Sequence, residues 1–180
     1  MRRFPFIVFA AIVYLLGMLL INQTTPQGRH ADGVDKPLPI MAITTMDGST
    51  PWNPEALKGR VTVLNFFASW CSPCAKEMPE LRALKKQFPN VRLEGIAWND
   101  SVKTLTPWLK EHRNPFDEVW LDTRGDATIA LGIRGIPETI IVDANGVVRY
   151  RLSGGLIPIV REGEVSELIR ELLTEAGNAK

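Results

Sequence analysis

The residues best suited to chemistry in this chain are Cys71 and Cys74, in the segment Trp70-Cys71-Ser72-Pro73-Cys74. They are its only cysteines. Two thiols separated by two residues at the start of a helix can close a small ring reversibly. That is the arrangement of a redox centre that trades a disulfide with a partner. The thiolate is the attacking species, so Cys71 needs a lowered pKa to work near neutrality. A helix N-terminus supplies one, because its unpaired amides and its dipole favour negative charge. Cys71 is then expected to be the exposed attacking thiol and Cys74, one turn into the helix and more covered, the resolving one. Pro73 suits the first helical turn, where an amide donor is not missed. A permanent disulfide between such close neighbours would constrain the unfolded chain little, so a purely structural role is the weaker reading.

The rest of the composition narrows the field. Among 180 residues, 21 basic side chains nearly balance 20 acidic ones, and long basic runs are absent. Nothing here suggests a nucleic-acid surface. Two cysteines cannot build a disulfide framework and supply at most half of a four-ligand zinc site. The two histidines, His30 and His112, lie far away in sequence. Neither metal nor organic cofactor is expected, since disulfide exchange needs none.

The cysteines require elements to hold them. Val61 to Ala68 is apolar, β-branched and aromatic, and reads as a strand buried on both faces. Ser72 to Phe88 reads as a helix with Met78, Leu81, Leu84, Lys85 and Phe88 on one stripe and an expected kink at Pro79. Val91 to Trp98 and Val102 to Glu111 give a second strand and helix, and Val119 to Leu121 an edge strand. Ala127 to Leu131 forms a short helix. Glu138 to Val142 and Val147 to Leu152 form a hairpin about Asn145-Gly146, and Glu164 to Leu173 a closing helix. Ile40 to Thr45 adds a short strand before the turn at Asp47-Gly48. The alternation predicts an α/β fold, a mixed sheet with helices on both faces and the site at the carboxyl end of a strand.

The N-terminus has a different character. Arg2 and Arg3 precede Phe4 to Ile21, eighteen residues without a charge. At about 1.5 Å per residue that run suffices to span a bilayer core of about 30 Å. A signal peptide has a shorter apolar region and a small-x-small cleavage site, which Leu19 to Gln23 lacks. Residues 1–21 therefore read as an uncleaved anchor, 22–35 as a polar tether and 36–180 as the folded domain. Arginines before the span place the N-terminus in the cytoplasm and the domain outside, where disulfides persist.

Trp-Cys-x-Pro-Cys after an apolar strand, with Gly135-Ile136-Pro137 downstream, resembles the thioredoxin superfamily over about Lys36 to Leu173. Gly135-Ile136-Pro137-Glu138-Thr139, Lys36-Pro37-x-Pro39, Asn65 six before Cys71, Asn114-Pro115-Phe116, and Tyr150 with Gly154 are similar to the membrane-anchored thiol:disulfide interchange proteins of cytochrome c biogenesis (the CcmG/DsbE type). That resemblance implies a thioredoxin-like fold with an inserted helix and strand between Val91 and Leu121. It implies that Pro137 is cis and packs against the disulfide. An extended segment there leaves backbone groups free to bond a docked chain beside Cys71. General thioredoxins carry a buried acid where this chain has Asn65, which cannot accept a proton. Glu77 and Glu138 are the acids that could substitute, and a nearby carboxylate raises a thiol's pKa. Glu77 also reads as an ordinary solvated helix charge. Trp70 either covers Cys74 and joins the docking face or packs at a strand end, with the first favoured.

The expected function is a periplasmic protein-disulfide reductase held at the inner membrane by one span. It would keep the haem-site cysteines of an apocytochrome c reduced, directly or through an intermediate thiol carrier. Electrons would come from an integral-membrane thiol transporter. The rival readings are an oxidase or isomerase, a copper-site reductant or sporulation relative, and a tethered binding module without catalysis.

Overall fold

The computed structural model describes residues 12–14, 32–156 and 163–178. The run from Phe4 to Ile21 lies outside them apart from residues 12–14. Among the described residues no helix is long and apolar enough to cross a membrane.

Six strands form one sheet: β1 (Thr44–Thr45), β2 (Thr62–Phe67), β3 (Arg92–Trp98), β4 (Glu118–Asp122), β5 (Glu138–Val142) and β6 (Val148–Ser153). Their order is β1-β4-β3-β2-β5-β6. β2, β3 and β4 run parallel, while β5, β6 and β1 pair antiparallel to their neighbours. β2 lies between β3 and β5 with all six residues buried, as its apolar run demands. The helices are α1 (Ser72–Gln87), α2 (Val102–Glu111), α3 (Asp126–Ala130) and α4 (Glu164–Asn178).

Two cores flank the sheet. On one face Met78, Leu81 and Leu84 of α1, Leu105 and Leu109 of α2 and Leu168, Ile169 and Leu172 of α4 pack with Val63, Leu93 and Ile141. On the other, Leu64, Phe66, Ile96 and Ile140 meet Met41, Ile43, Trp52 and Leu57 from the N-terminal segment and Ala127 of α3. Side chains alternate between faces along each strand, so Asn65 and Thr139, paired across β2 and β5, share the α1 face, whereas Glu138 and Phe66 share the opposite one.

The departures from expectation have physical causes. The strand read over Ile40 to Thr45 shrinks to Thr44–Thr45, because Ile40 turns outward and is 84 % exposed. Val119 to Leu121 is no edge: β4 is flanked by β1, whose two residues cap it. On α1, Glu77 joins the buried stripe and Lys85 reaches Asp117 at 2.6 Å instead. The helix continues through Pro79, an exposed position. Residues 32–35 lie against the domain, Asp35 donating its N–H to the Val148 carbonyl at 2.7 Å.

Candidate functional site

β2 ends at Phe67, and the chain turns over four residues into α1. Cys71 N–H donates to the Ala68 carbonyl at 3.2 Å, closing that turn. Cys71 itself is the α1 N-cap: its Sγ accepts the Cys74 N–H at 3.2 Å, the place a serine or aspartate oxygen usually fills. The two cysteines form a disulfide. Both are covered in this state, Cys71 at 5 % exposure and Cys74 at 1 %, so the attacking thiol is less exposed than the sequence suggested. Pro73 occupies the first helical turn.

Across from the disulfide lies the Ile136–Pro137 bond, which is cis, with the Ile136 carbonyl oxygen 3.8 Å from Cys71 Sγ. Trp70 is 56 % exposed beside the pair. Its indole Nε1 donates to the Asn99 carbonyl at 3.1 Å, and its ring meets Trp98 edge-on at 5.9 Å. The site therefore shows an aromatic flank on one side of Cys71 and a proline-bearing backbone edge on the other.

Beneath it is a buried polar network. Asn65 Nδ2 donates to Glu77 Oε2 at 3.2 Å and to Thr139 Oγ1 at 3.1 Å. Glu77 Oε1 accepts the Leu156 N–H at 2.6 Å. Burial pushes the Glu77 carboxyl above its ordinary range, and the bonds from Leu156 and Asn65 offset this only in part. Asn65 Oδ1 is buried without a partner. Gly155 sits between the two: a Cβ there would make ordinary contacts with Pro137 Cγ at 3.4 Å and Glu77 Oε1 at 3.5 Å, and it is the φ of 98° that favours glycine.

The two acids expected near the thiols are separated. Glu77 lies in this network on the α1 face, whereas Glu138 points to the opposite face of β5. There it pairs with Arg151 and accepts the Ser153 hydroxyl at 3.2 Å. Arg151 also donates to the carbonyls of Asp32 and Leu131, each at 2.7 Å. A cleft of about 590 Å³ opens beside this pair, lined also by Lys36, Pro39, Ile129 and Arg134. Sequence reasoning missed Arg151 and Asp100, and had Thr139 only as part of a motif. Each acts through a partner distant in sequence, and only Asp100, just before the N-cap Ser101, carried a local signal.

This geometry can run dithiol–disulfide exchange and matches known proteins. The AhpC/TSA family pattern covers residues 34–151. Thiol:disulfide interchange protein DsbE of Escherichia coli (strain K12) is 32 % identical over 177 residues, covering 96 % of this chain and 95 % of that one. The chain belongs to the AhpC/TSA family, among the DsbE-type thiol:disulfide interchange proteins. The DsbE homolog of Paracoccus denitrificans is 31 % identical over 173 residues, 96 % of this chain and 93 % of that one. A thiol:disulfide interchange protein of the thioredoxin family from Chlorobium tepidum superposes with a TM-score of 0.62 at 26 % identity, over 79 % of this chain and 99 % of that one. MTB dsbF, solved in mixed oxidised and reduced forms, gives 0.60 at 26 %, over 75 % and 94 %. The AhpC/TSA match, the DsbE-type relatives and the Cys71–Cys74 pair make this chain a thiol:disulfide oxidoreductase with a thioredoxin-like α/β fold.

Run in the reducing direction, that exchange would start with the Cys71 thiolate attacking one sulfur of a partner disulfide. A mixed disulfide forms and the partner's second sulfur leaves with the electron pair. The Cys74 thiolate then attacks Cys71 Sγ, the intramolecular bond forms and the first partner sulfur leaves. Two electrons pass to the partner, and its two thiolates take up the protons that Cys71 and Cys74 released. The cap position sets Cys71 Sγ against the Cys74 N–H at the positive end of the α1 dipole, where a developing negative charge on that sulfur would be met by a donor.

Proposed function

We propose that this oxidoreductase works as a reductant in cytochrome c maturation. It delivers electrons through Cys71 and Cys74 to the haem-site thiols of an apocytochrome or to an intermediate thiol carrier. The observation that carries the reading is Cys71 as the α1 N-cap, beside the Ile136–Pro137 edge and followed by Glu138-Thr139. That edge gives an extended partner chain a place to lie along Cys71. The direction of transfer follows from the resemblance to the cytochrome c biogenesis proteins and from the compartment.

The domain works outside the inner membrane, tethered through residues 22–31 to a single span over residues 1–21. Arg2 and Arg3 before an uncharged run support this orientation. Re-reduction then falls to an integral-membrane thiol transporter.

Trapping tests the partner. A Cys74→Ala variant cannot resolve the mixed disulfide, and an apocytochrome or thiol carrier of cytochrome maturation is expected on Cys71. Cys71→Ser is expected to abolish cytochrome maturation, with rescue by added small thiols. A defect that persists under those thiols counts against the reductant role. A reduction potential near −270 mV supports reduction and one near −120 mV an oxidase.

A further inference from the structure

The loop between β3 and α2 grips the turn that carries Cys71. Asp100, 8 % exposed, accepts the Ser69 N–H on Oδ2 at 2.6 Å. Its Oδ1 takes the Ser101 N–H at 2.8 Å and the Thr104 hydroxyl at 2.6 Å. Burial alone would pull this carboxyl up, but the bonds from Thr104, Ser69 and Ser101 outweigh it and hold the group below its ordinary range. One residue earlier the Asn99 carbonyl holds the Trp70 indole. Asn99 adopts a left-handed φ of 47° and donates its own N–H to the Asp122 carbonyl at 3.0 Å. Helix capping does not call for this reach. Ser101 already caps α2 by accepting the Thr104 N–H at 3.4 Å, so the bond from Asp100 to Ser69 serves the other side of the contact.

We propose that Asp100 is a positioning residue of the exchange centre. Through Ser69 it fixes the Ala68-to-Cys71 turn, which keeps Cys71 Sγ in its cap position under the Cys74 N–H. The inserted helix α2 is then a brace for the reactive sulfur. The role concerns the exchange centre alone and holds whichever protein the partner is.

Charge and position push in opposite directions here, which makes the idea testable. Of the charged groups described above, Asp100 reaches the turn itself, Glu77 lies in the network on the α1 face, and Glu138 is paired with Arg151 on the opposite face of the sheet. Removing Asp100 as a neighbouring negative charge would lower the Cys71 pKa, since like charges resist ionising together. Removing it as a brace loosens the thiolate's alignment with its amide donor and raises that pKa.

The reduced full-length protein, alkylated with iodoacetamide across pH, reads the Cys71 pKa directly. Asp100→Ala is expected to raise it by about half a unit, about a threefold loss of thiolate below the pKa. Asp100→Asn retains one oxygen for the Ser69 N–H and is expected to recover part of the shift. Ser101→Ala weakens the α2 cap while sparing the bond to Ser69, and is expected to leave the pKa in place. A pKa in Asp100→Ala that is unchanged or lowered, or an equal rise in Ser101→Ala at matched Tm, overturns the proposal. If Asp100→Ala does not fold, Asp100→Asn decides alone: a rise supports the brace, and a fall or no change rejects it.

Discussion

The Asn65 amide donates to the Glu77 carboxylate at 3.2 Å, and this bond ties the middle of the central strand to the helix that carries both cysteines. An asparagine at that point gives up proton transfer but keeps a carboxylate in place where water does not reach. Burial raises that acid's pKa and so shifts its balance toward the neutral form.

Glu77 therefore sets a pH dependence of stability. Its folded pKa lies above the ordinary value of 4.5, so the folded state holds the proton more tightly than the unfolded chain. The penalty is absent below 4.5 and grows as pH rises through the raised folded value. Glu77→Gln removes the titration. Its amide can still accept from Leu156 while a reoriented Asn65 offers its unpaired Oδ1 to the new NH2. Denaturant unfolding of the oxidised protein is expected to show a stability gain for the variant over wild type that grows above pH 4.5. Asp100 acts with the opposite sign in another window: its stabilisation is present above its ordinary value of 3.8 and is lost as pH falls through its lowered folded pKa.

Asn65→Asp places a second carboxyl on the first inside the same buried space. The two cannot both ionise there, and one is held protonated. The variant is expected to lose about 2–4 kcal/mol at neutral pH and to regain much of it near pH 4. Urea midpoints at the two pH values check this.

Arg151→Met leaves the Glu138 carboxylate buried without its cation. Breaking such a pair from one side costs about 3–5 kcal/mol. Glu138→Gln combined with Arg151→Met is expected to recover most of the loss, a coupling that a double-mutant cycle of unfolding energies measures.

Gly95→Ala tests packing away from the thiols. A Cβ at Gly95 would come within 2.7 Å of Phe67 Cε1 and 2.9 Å of Phe116 Cδ2. Overpacking of this kind costs about 1–3 kcal/mol. Tm is expected to fall while the exchange rate per folded molecule stays at the wild-type level.

Legibility in the sequence followed the range of the forces involved. The β5–β6 hairpin was readable because Asn145-Gly146 announces its turn locally, and β2 because a mostly apolar run rich in β-branched and aromatic residues suits a strand buried on both faces. The cysteine pair was readable because spacing and helix start lie within five residues. Glu77 was ambiguous because its cover comes from Leu156, 79 positions away, and no periodicity reports that. Asp100 went unread as a contributor because Ser69 is 31 positions back. Glu138 was read as near the thiols from its place after Pro137. The alternation of a strand sends its side chain to the other face.

That alternation gives the central sheet the character of an insulating wall between two ionic compartments. The carboxylate behind α1 and the one paired with Arg151 flank the same proline, yet neither shares hydrogen-bonding partners with the other. Variation on the Arg151 side can reshape that face of the sheet while the carboxyl behind the disulfide is left alone. The reverse also holds, so the two faces can drift separately in descendants of this chain.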